Sequence, residues 1–475
     1  MRRATWVGFA GVVVAATAAG SVHAAAPWSE PRAIGPAAPM VSRVTIDFAP
    51  GGAALLSRRV SVDLADPARD PARLATVAPD GALVEHGKTR KPLAAPPLVF
   101  GKGRVALLHQ TVVSKPDART RRLRLSLSLG SVARPAGRGR PRRLATFSPF
   151  PSDAVAGPVM AAGPRGEIAV VWMAFRGDEF GSGRFHVRLQ VIRPNGRLDR
   201  LRTVASGAVV GDRNTYNVAV AFGAQRDIVV AYAVDAHASP RRSSSISVRT
   251  LRRGRRFDRA RSLGSHAGLV QLEAAASRSG RTVVAWATQD GGEEANVPSV
   301  VRAAIRAPRA ARFSPTRMMD PGELNERVPG RLGLAMSPGG TTVLAWSNAR
   351  RAFNETTFPV RVAVAEAGQA FGPVVELAAD GGVGDVAVRD DGAALVTWTD
   401  PNGYSPRATP RQTLAAFRSG QGLPFGQPEL VAPSSPSLGS DRYPAAAFDP
   451  RTGRPTAVWT ASTGRDVLLL ATRSG

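Results

Sequence analysis

Gly392–Trp398 reads GAALVTW, a glycine followed by an apolar strand that ends in an aromatic residue. The pattern recurs along the chain. The other copies are GEIAVVW at Gly166–Trp172, GRTVVAW at Gly280–Trp286, GTTVLAW at Gly340–Trp346, GRPTAVW at Gly453–Trp459, RDIVVAY ending at Tyr232, GAALLSR ending at Arg58 and GRVALLH ending at His109. Successive end positions are 51 to 63 residues apart. Self-similarity at such a period indicates a repeat architecture.

Each copy lies within a set of short predicted strands. An apolar stretch precedes it, as in DVAVR at Asp385–Arg389, and another follows the polar loop after the aromatic, as in VRVAVA at Val360–Ala365. Leu123–Leu129 alternates Leu with Arg or Ser, which is the period of a half-buried strand. A fourth element begins with a large apolar residue, as in FGPVVEL from Phe371. Four short antiparallel strands per repeat predict the blade of a β-propeller.

The two ends of the chain supply complementary pieces of one blade. The eighth repeat stops after its third strand, Val467–Ala471, whereas WSEPRAI from Trp28 matches the fourth-strand sequence FGQPELV from Phe425. We therefore expect an all-β, eight-bladed propeller of four-stranded blades, closed by an N-terminal strand that completes the last blade and hides its edge. A seven-bladed ring is one alternative, because the first two copies lack the aromatic, and two smaller domains are another. The predicted blades span residues 40–96, 97–150, 155–210, 215–266, 270–322, 330–380, 384–435, and 443–475 with 27–36.

The N-terminus has the pattern of a secretory signal. Arg2 and Arg3 precede an Ala- and Val-rich run, and small residues lead to a predicted cleavage point after Ala24. We expect a signal peptide over residues 1–24 and one propeller domain over 25–475, with an uncleaved anchor as the alternative. The chain has no Cys, so disulfides and lipid attachment through cysteine are excluded. The expected product is a secreted monomer, extracellular or associated with the cell envelope, without a stable membrane anchor.

The repeat resembles that of secreted propellers common in GC-rich bacteria, in which a G-x-A-V-V-x-W strand precedes a V-x-A-A strand and an F-G-x-P element. Residues 392–398, 360–365 and 371–373 carry this resemblance. It implies an exported propeller from a group of largely unassigned function. Sialidases are similar only in architecture, because their Asp box would place a Trp three residues after its Gly, whereas here the aromatic comes six residues after.

The recurring aromatic residues have two interpretations. They could form a ring of stacking platforms for sugar, or they could fill the space between neighbouring blades. Their regular recurrence at one strand position favours packing, since large aromatics bury much area. The residues concerned are Trp172, Tyr232, Trp286, Trp346, Trp398 and Trp459.

The loops that follow these aromatics differ from blade to blade and are polar. In propellers they share one face with the blade-to-blade connections, and variable loops on a fixed scaffold are where binding sites arise. The ligand-face candidates are Asp178, Glu179, Asp235, Asp290, Glu293, Glu294, Asn354, Glu355, Asp400, Asn402 and Tyr404. Convergent carboxylates among them could serve acid–base chemistry or hold a calcium ion. Ordinary solvated loop surface is the simpler interpretation.

Arginine dominates the charge of this protein, whose formal net charge is +27. Two clusters, between Arg119 and Arg143 and between Arg241 and Arg261, surround third strands and the hairpins that follow them. The candidate contacts for a polyanion are Arg138, Arg140, Arg142, Arg143, Arg252, Arg253, Arg255 and Arg256. A protein this basic associates with polyanions. Few aromatics lie among the arginines, so stacking recognition of a nucleic acid is not predicted.

No motif for catalysis or metal binding is present. The histidines are isolated, and neither a G-x-S-x-G elbow nor a complete phosphate-binding G-x-x-x-x-G-K-[ST] loop occurs. We expect no metal or cofactor, and the sequence identifies no catalytic residue. The leading prediction is a non-catalytic exported propeller that binds a cell-wall glycan, another polyanion or an extracellular protein through its loop face. The alternative is a carbohydrate-active enzyme, a glycosidase or lyase, with loop carboxylates at the central channel.

Overall fold

The computed structural model describes most of the chain beyond the predicted signal peptide. The described residues are 28–38, 41–60, 72–89, 91–113, 122–137, 140–147, 158–177, 183–209, 217–236, 243–252, 255–266, 269–289, 299–321, 331–348, 350–352, 355–400, 411–435, 443–462 and 466–473. The signal peptide therefore stays a prediction that lies outside them.

The first four repeats each form an antiparallel sheet whose strands follow chain order. Strand β1, Arg32–Ala38, precedes them. Blade 1 has β2 Val41–Phe48, β3 Ala54–Val60, β4 Ala72–Val77 and β5 Leu83–Lys88. Blade 2 has β6 Leu98–Phe100, β7 Arg104–Val112, β8 Leu123–Ser131 and β9 Arg142–Phe147. Blade 3 has β10 Val159–Ala162, β11 Ile168–Gly177, β12 Gly183–Ile192 and β13 Arg202–Val209. Blade 4 has β14 Asn217–Phe222, β15 Ile228–Ala236, β16 Ser243–Arg252 and a divided last strand, β17 Arg256–Phe257 and β18 Arg261–His266.

The last four repeats form sheets of the same kind. Blade 5 has β19 Leu269–Ala276, β20 Thr282–Gln289, β21 Ser299–Arg306 and β22 Arg317–Asp320. Blade 6 has β23 Leu332–Met336, β24 Thr342–Ser347, an inserted hairpin of β25 Arg350–Ala352 and β26 Glu355–Thr357, then β27 Val360–Ala365 and β28 Val375–Ala378. Blade 7 has β29 Gly382–Val388, β30 Ala394–Asp400, β31 Arg411–Arg418 and β32 Glu429–Ser435. Blade 8 has β33 Ala445–Phe448, β34 Pro455–Ser462 and β35 Asp466–Thr472.

The first strands of the eight blades form a closed ring. Each contacts the first strand of the next blade, and β33 of blade 8 contacts β2 of blade 1. The eight-bladed prediction is confirmed, and both the seven-bladed alternative and the division into two smaller domains are wrong. The weakest copies of the repeat, in blades 1 and 2, still form complete sheets because their apolar strand positions are kept.

The N-terminal strand completes blade 8, as predicted. β1 pairs antiparallel with β35, with Arg32 opposite Leu470 and Ile34 opposite Leu468. Ile34 is 3% exposed and packs between blades 8 and 1. The sheet of blade 8 thus joins the two ends of the described chain, which hides the edge that β35 would otherwise expose.

The recurring aromatics are packing residues. Each Trp of the repeat is at most 3% exposed and lies in an apolar cluster with strands of the preceding blade. Tyr232 packs in the same way against blade 3. The structural interpretation is therefore confirmed, and these rings do not form a platform for sugar.

Antiparallel order divides the connections between two ends of the ring. The turns from first to second strand and from third to fourth strand lie at one end, here called the turn face. The loops from second to third strand and the connections between blades lie at the other end, here called the loop face. Most of the internal segments outside the described residues connect strand ends that lie at the loop face.

Candidate functional site

Most of the predicted ligand-face residues lie outside the described residues. These are Asp178, Glu179, Asp290, Glu293, Glu294, Asn354, Asn402 and Tyr404. The backbone of Asp235 lies near the end of β15, and that of Glu355 begins β26. Their assignment to a binding surface stays a prediction.

Asp400 is the ligand-face candidate whose surroundings are visible. It ends β30 and is half-buried at the loop face of blade 7. Burial raises the pKa of its carboxyl, and the nearby charge of Asp380 raises it further. Asp380 lies in the connection from blade 6 to blade 7, where its Oδ1 accepts a hydrogen bond from the backbone N–H of Phe358 at 2.8 Å. The fold thus brings together two carboxyl groups, of which sequence reasoning had selected one.

The floor beneath these carboxyl groups is tightly packed. A Cβ added at Gly381 would lie 2.6 Å from Cδ1 of Trp398 and 2.8 Å from Cγ2 of Val360. Only a glycine therefore fits between Asp380 and the buried ring. This close approach sets the distance between the blade connection and the end of β30, and so positions both carboxyl groups.

Exposed arginines gather on the turn face of blades 2, 3 and 4. They lie in the connections from third to fourth strand or at the start of the fourth strand. We call this set the outer arginine row; it comprises Arg134, Arg140, Arg143, Arg197, Arg200, Arg255, Arg256 and Arg259. Arg140, Arg143, Arg255 and Arg256 were predicted polyanion contacts. Arg138 and Arg253, also predicted, lie outside the described residues.

Two further predicted arginines have structural partners. Arg142 donates from Nη1 to the carbonyl oxygen of Gly196, which joins the turns of blades 2 and 3. Arg252 is paired with Asp227, Nη1 to Oδ2, at 2.8 Å. Both arginines still carry positive charge, but their guanidinium groups already form contacts within the fold. Their predicted role as contacts stays untested.

The turns that carry the outer arginine row are tied to one another. Arg142, at the start of β9 in blade 2, donates to the carbonyl oxygen of Gly196 in blade 3, and Arg202, at the start of β13 in blade 3, donates to that of Arg255 in blade 4 at 2.5 Å. These bonds hold three adjacent turns at fixed spacing. Charged groups on a fixed backbone lose less freedom on binding than groups on independent loops.

The carboxylates within the same turns are already engaged. Asp199 pairs with Arg193, Nη2 to Oδ1, at 2.5 Å. Asp258 accepts a hydrogen bond from the backbone N–H of Thr250 at 2.6 Å. The outer arginine row therefore keeps a strong excess of positive charge in its immediate surroundings.

The described residues contain no group of three or more His, Asp or Glu side chains arranged to hold a metal ion. No helix among them is long and apolar enough to cross a membrane. The calcium interpretation of the loop carboxylates concerns residues that are mostly not described, so it stays open.

No protein-family model matches this chain, and no curated protein matches it. Among solved structures, it is similar to polysaccharide lyase Uly1, with 10% identity, a TM-score of 0.42, and coverage of 82% of this chain and 91% of the lyase. It is also similar to α-L-arabinanase of Penicillium chrysogenum, with 10% identity, a TM-score of 0.38, and coverage of 69% and 96%. A leech intramolecular trans-sialidase gives 6% identity, a TM-score of 0.36, and coverage of 94% and 93%. At these identities and scores the similarity concerns architecture and carries no conclusion about activity.

Proposed function

We propose that this protein is exported and binds an acidic glycan of the cell envelope along the turn face of blades 2 to 4. The observation that carries the proposal is the outer arginine row, whose exposed guanidinium groups lie on three turns that hydrogen bonds link from blade 2 to blade 3 and from blade 3 to blade 4. Guanidinium groups bind carboxylate, sulfate and phosphate through paired hydrogen bonds. The sequence favoured the loop face as the binding surface. The exposed arginines instead cluster on the turn face, at the opposite end of the ring.

A glycan suits this surface better than a single-stranded nucleic acid. Recognition of unpaired bases uses exposed aromatic rings between the basic groups. Phe257, which lies next to Arg256, is half-buried and is covered by the guanidinium of Arg249, 5.2 Å from the ring centroid. Among its described residues, the surface therefore offers charge without an exposed aromatic ring beside the arginines, which suits a polymer recognised by its anionic groups.

The test compares two charge-matched variants in affinity electrophoresis through gels containing polygalacturonate, with neutral dextran as the reference. In the row variant, Arg140, Arg143, Arg255 and Arg256 are replaced by Ser. In the control variant, Arg124, Arg184, Arg451 and Arg454, all exposed and outside the row, are replaced by Ser. The row variant should lose retardation by polygalacturonate, and the control should keep most of it. Equal losses would show that net charge alone causes the binding, which would overturn the proposal.

A second candidate function is catalysis on a carbohydrate, favoured by the half-buried Asp400 at the loop face, whose carboxyl pKa is raised by burial and by the charge of Asp380. A carboxyl group whose pKa is raised by burial beside a second carboxylate is suited to donate a proton to a leaving group. Asp400 would be the acid and Asp380 the partner carboxylate, as in two-carboxylate glycoside hydrolysis. Release of reducing ends or unsaturated products from a panel of glycans, abolished by Asp400→Asn and by Asp380→Asn, would support this function. If the folded protein releases neither reducing ends nor unsaturated products from any glycan of the panel, catalysis on those glycans is ruled out.

A further inference from the structure

Arg226 breaks the repeat at its most restricted backbone position. The first residue of the seven-residue repeat motif is glycine in seven of the eight copies and arginine in blade 4. All seven glycines have positive φ, and Arg226 adopts the same conformation, with φ of 68°. A side chain disfavours this region because Cβ approaches the backbone, so glycine would suit the turn better. The turn in blade 4 has the same backbone conformation as the glycine turns of the other blades. It differs from them only in carrying the arginine side chain.

The side chain of Arg226 is held by a buried carboxylate of the neighbouring blade. Its Nε lies 2.6 Å from Oε1 of Glu167, whose side chain is 3% exposed. The other carboxylate oxygen of Glu167 accepts a hydrogen bond from the backbone N–H of Arg165 at 3.0 Å. Glu167 therefore fixes the direction of the Arg226 guanidinium and leaves its terminal nitrogens available at the surface.

Arg226 lines a cavity of about 440 Å³ on the turn face. We call it the turn pocket; its walls come from the first turns and first-strand ends of blades 3, 4, 5 and 6. Arg165 and Arg278 line it as well, and both are exposed. Within the described part of the chain, neither is paired with a carboxylate, so three guanidinium-bearing residues line the pocket and Arg226 alone of the three has a carboxylate partner there, Glu167. The volume lies in the range of small-molecule sites, roughly 300 to 1,000 Å³.

The remaining walls of the turn pocket are apolar. Phe222 and Met336 come from the ends of β14 and β23, and Pro164 and Pro338 come from adjacent turns. The backbone N–H of Arg278 donates to the carbonyl oxygen of Pro338 at 3.1 Å, which fixes the turns of blades 5 and 6 together. A fixed pocket with an apolar wall and a cationic rim suits a ligand with a carbon skeleton and an anionic group.

We propose that the turn pocket binds an organic acid the size of an acidic monosaccharide. Its carboxylate lies between the guanidinium groups of Arg165, Arg226 and Arg278, and its ring lies against Phe222 and Met336. This site is separate from the outer arginine row, and the inference does not rest on the function proposed for that row. It also accounts for an arginine at a position where the backbone favours glycine.

The test is isothermal titration calorimetry of the mature protein with glucuronate, and with glucose and inorganic phosphate as comparison probes. Glucuronate should bind. Glucose, which lacks the carboxylate, and phosphate, which lacks the carbon skeleton, should bind at least about tenfold more weakly, because each loses one set of contacts. Phosphate binding as tight as glucuronate would overturn the assignment of an organic acid, and so would the absence of glucuronate binding.

The variant Arg226→Gly restores the repeat and should remain folded, while weakening glucuronate binding at least about tenfold through loss of a charge-assisted contact. Arg309→Gly is the matched control, because Arg309 is also exposed, also has positive φ, at 63°, and lies outside the turn pocket. The control should bind glucuronate as the unchanged protein does. Equal binding by both variants and the unchanged protein would contradict the proposal.

Discussion

Trp28 and Glu429 are joined across 401 residues of sequence, with the indole Nε1 donating to Oε2 at 2.9 Å. Glu429 also pairs with Arg473, Nε to Oε2, at 2.9 Å. One carboxylate of blade 7 therefore holds both the N-terminal strand and the last described strand of blade 8. The closure of the ring is thus fastened by polar contacts as well as by strand pairing.

Replacement of Ile34 by Ala should destabilise the whole ring. Ile34 is 3% exposed, and truncation of a buried Ile costs about 2 to 5 kcal/mol through lost burial and the cavity left behind. Leu430→Ala is the control, because Leu430 is 51% exposed and its loss should change the free energy of unfolding by about 0.5 kcal/mol or less. Urea unfolding of the two variants measures the difference. Equal stabilities would mean that β1 does not contribute to the closed ring.

Two buried tryptophans should differ in their tolerance of Phe. Nε1 of Trp346 donates to Oδ2 of Asp320 at 2.8 Å, whereas Nε1 of Trp398 has no acceptor among the described residues. Trp346→Phe leaves a buried carboxylate without one of its donors, a loss of about 1 to 3 kcal/mol that Trp398→Phe does not incur. Both rings are at most 1% exposed, so the packing losses are comparable. Thermal unfolding should therefore rank Trp346→Phe below Trp398→Phe, and the opposite ranking would refute this account of the contact.

Asp47 should make stability fall as pH rises towards neutrality. Burial raises the pKa of its carboxyl from 3.8 to about 7, although its Oδ2 accepts a hydrogen bond from the backbone N–H of Val99. The folded protein therefore binds more protons than the unfolded chain between these pH values, so this group's contribution is present at acidic pH and is lost as pH rises through about 7. Asp47→Asn should flatten the dependence between about pH 4 and pH 7.

Asp391→Asn is the control for that pH series. The hydrogen bond from Arg389 lowers the pKa of the Asp391 carboxyl, so its contribution is lost only as pH falls below the usual carboxyl range. This variant should keep the decline in the free energy of unfolding that Asp47 causes at higher pH. An identical decline in the Asp47 variant would assign the effect to another group.

The sequence was sufficient for the scaffold because each blade repeats the same local requirements. A glycine six residues before a large aromatic specifies both a left-handed turn and a wedge between blades, as Gly280 and Trp286 do in blade 5. The match between the segment from Trp28 and the fourth strands predicted closure for the same reason. The position of each residue within the repeat was enough to predict the blades and their closure. No contact between residues distant in sequence had to be known.

The candidate sites could not be predicted in the same way, because they arise between repeats. Asp380 and Asp400 come together only when a blade connection lies over the end of β30. Arg165, Arg226 and Arg278 belong to three blades, and the curvature of the ring brings them to one pocket. The arginine that replaces the repeat glycine at position 226 was visible in the sequence. Its contact with Glu167 was not, because the packing of blade 3 on blade 4 brings the two side chains together.

The measurement that tests the central proposal most directly is the salt dependence of polygalacturonate affinity, for the unchanged protein and the row variant. Release of counterions makes the logarithm of the binding constant fall linearly with the logarithm of salt concentration, with a slope set by the number of charges engaged. We expect a steep slope for the unchanged protein and a clearly shallower one when Arg140, Arg143, Arg255 and Arg256 are replaced by Ser. The same slope in both proteins would contradict binding of an acidic glycan by the outer arginine row.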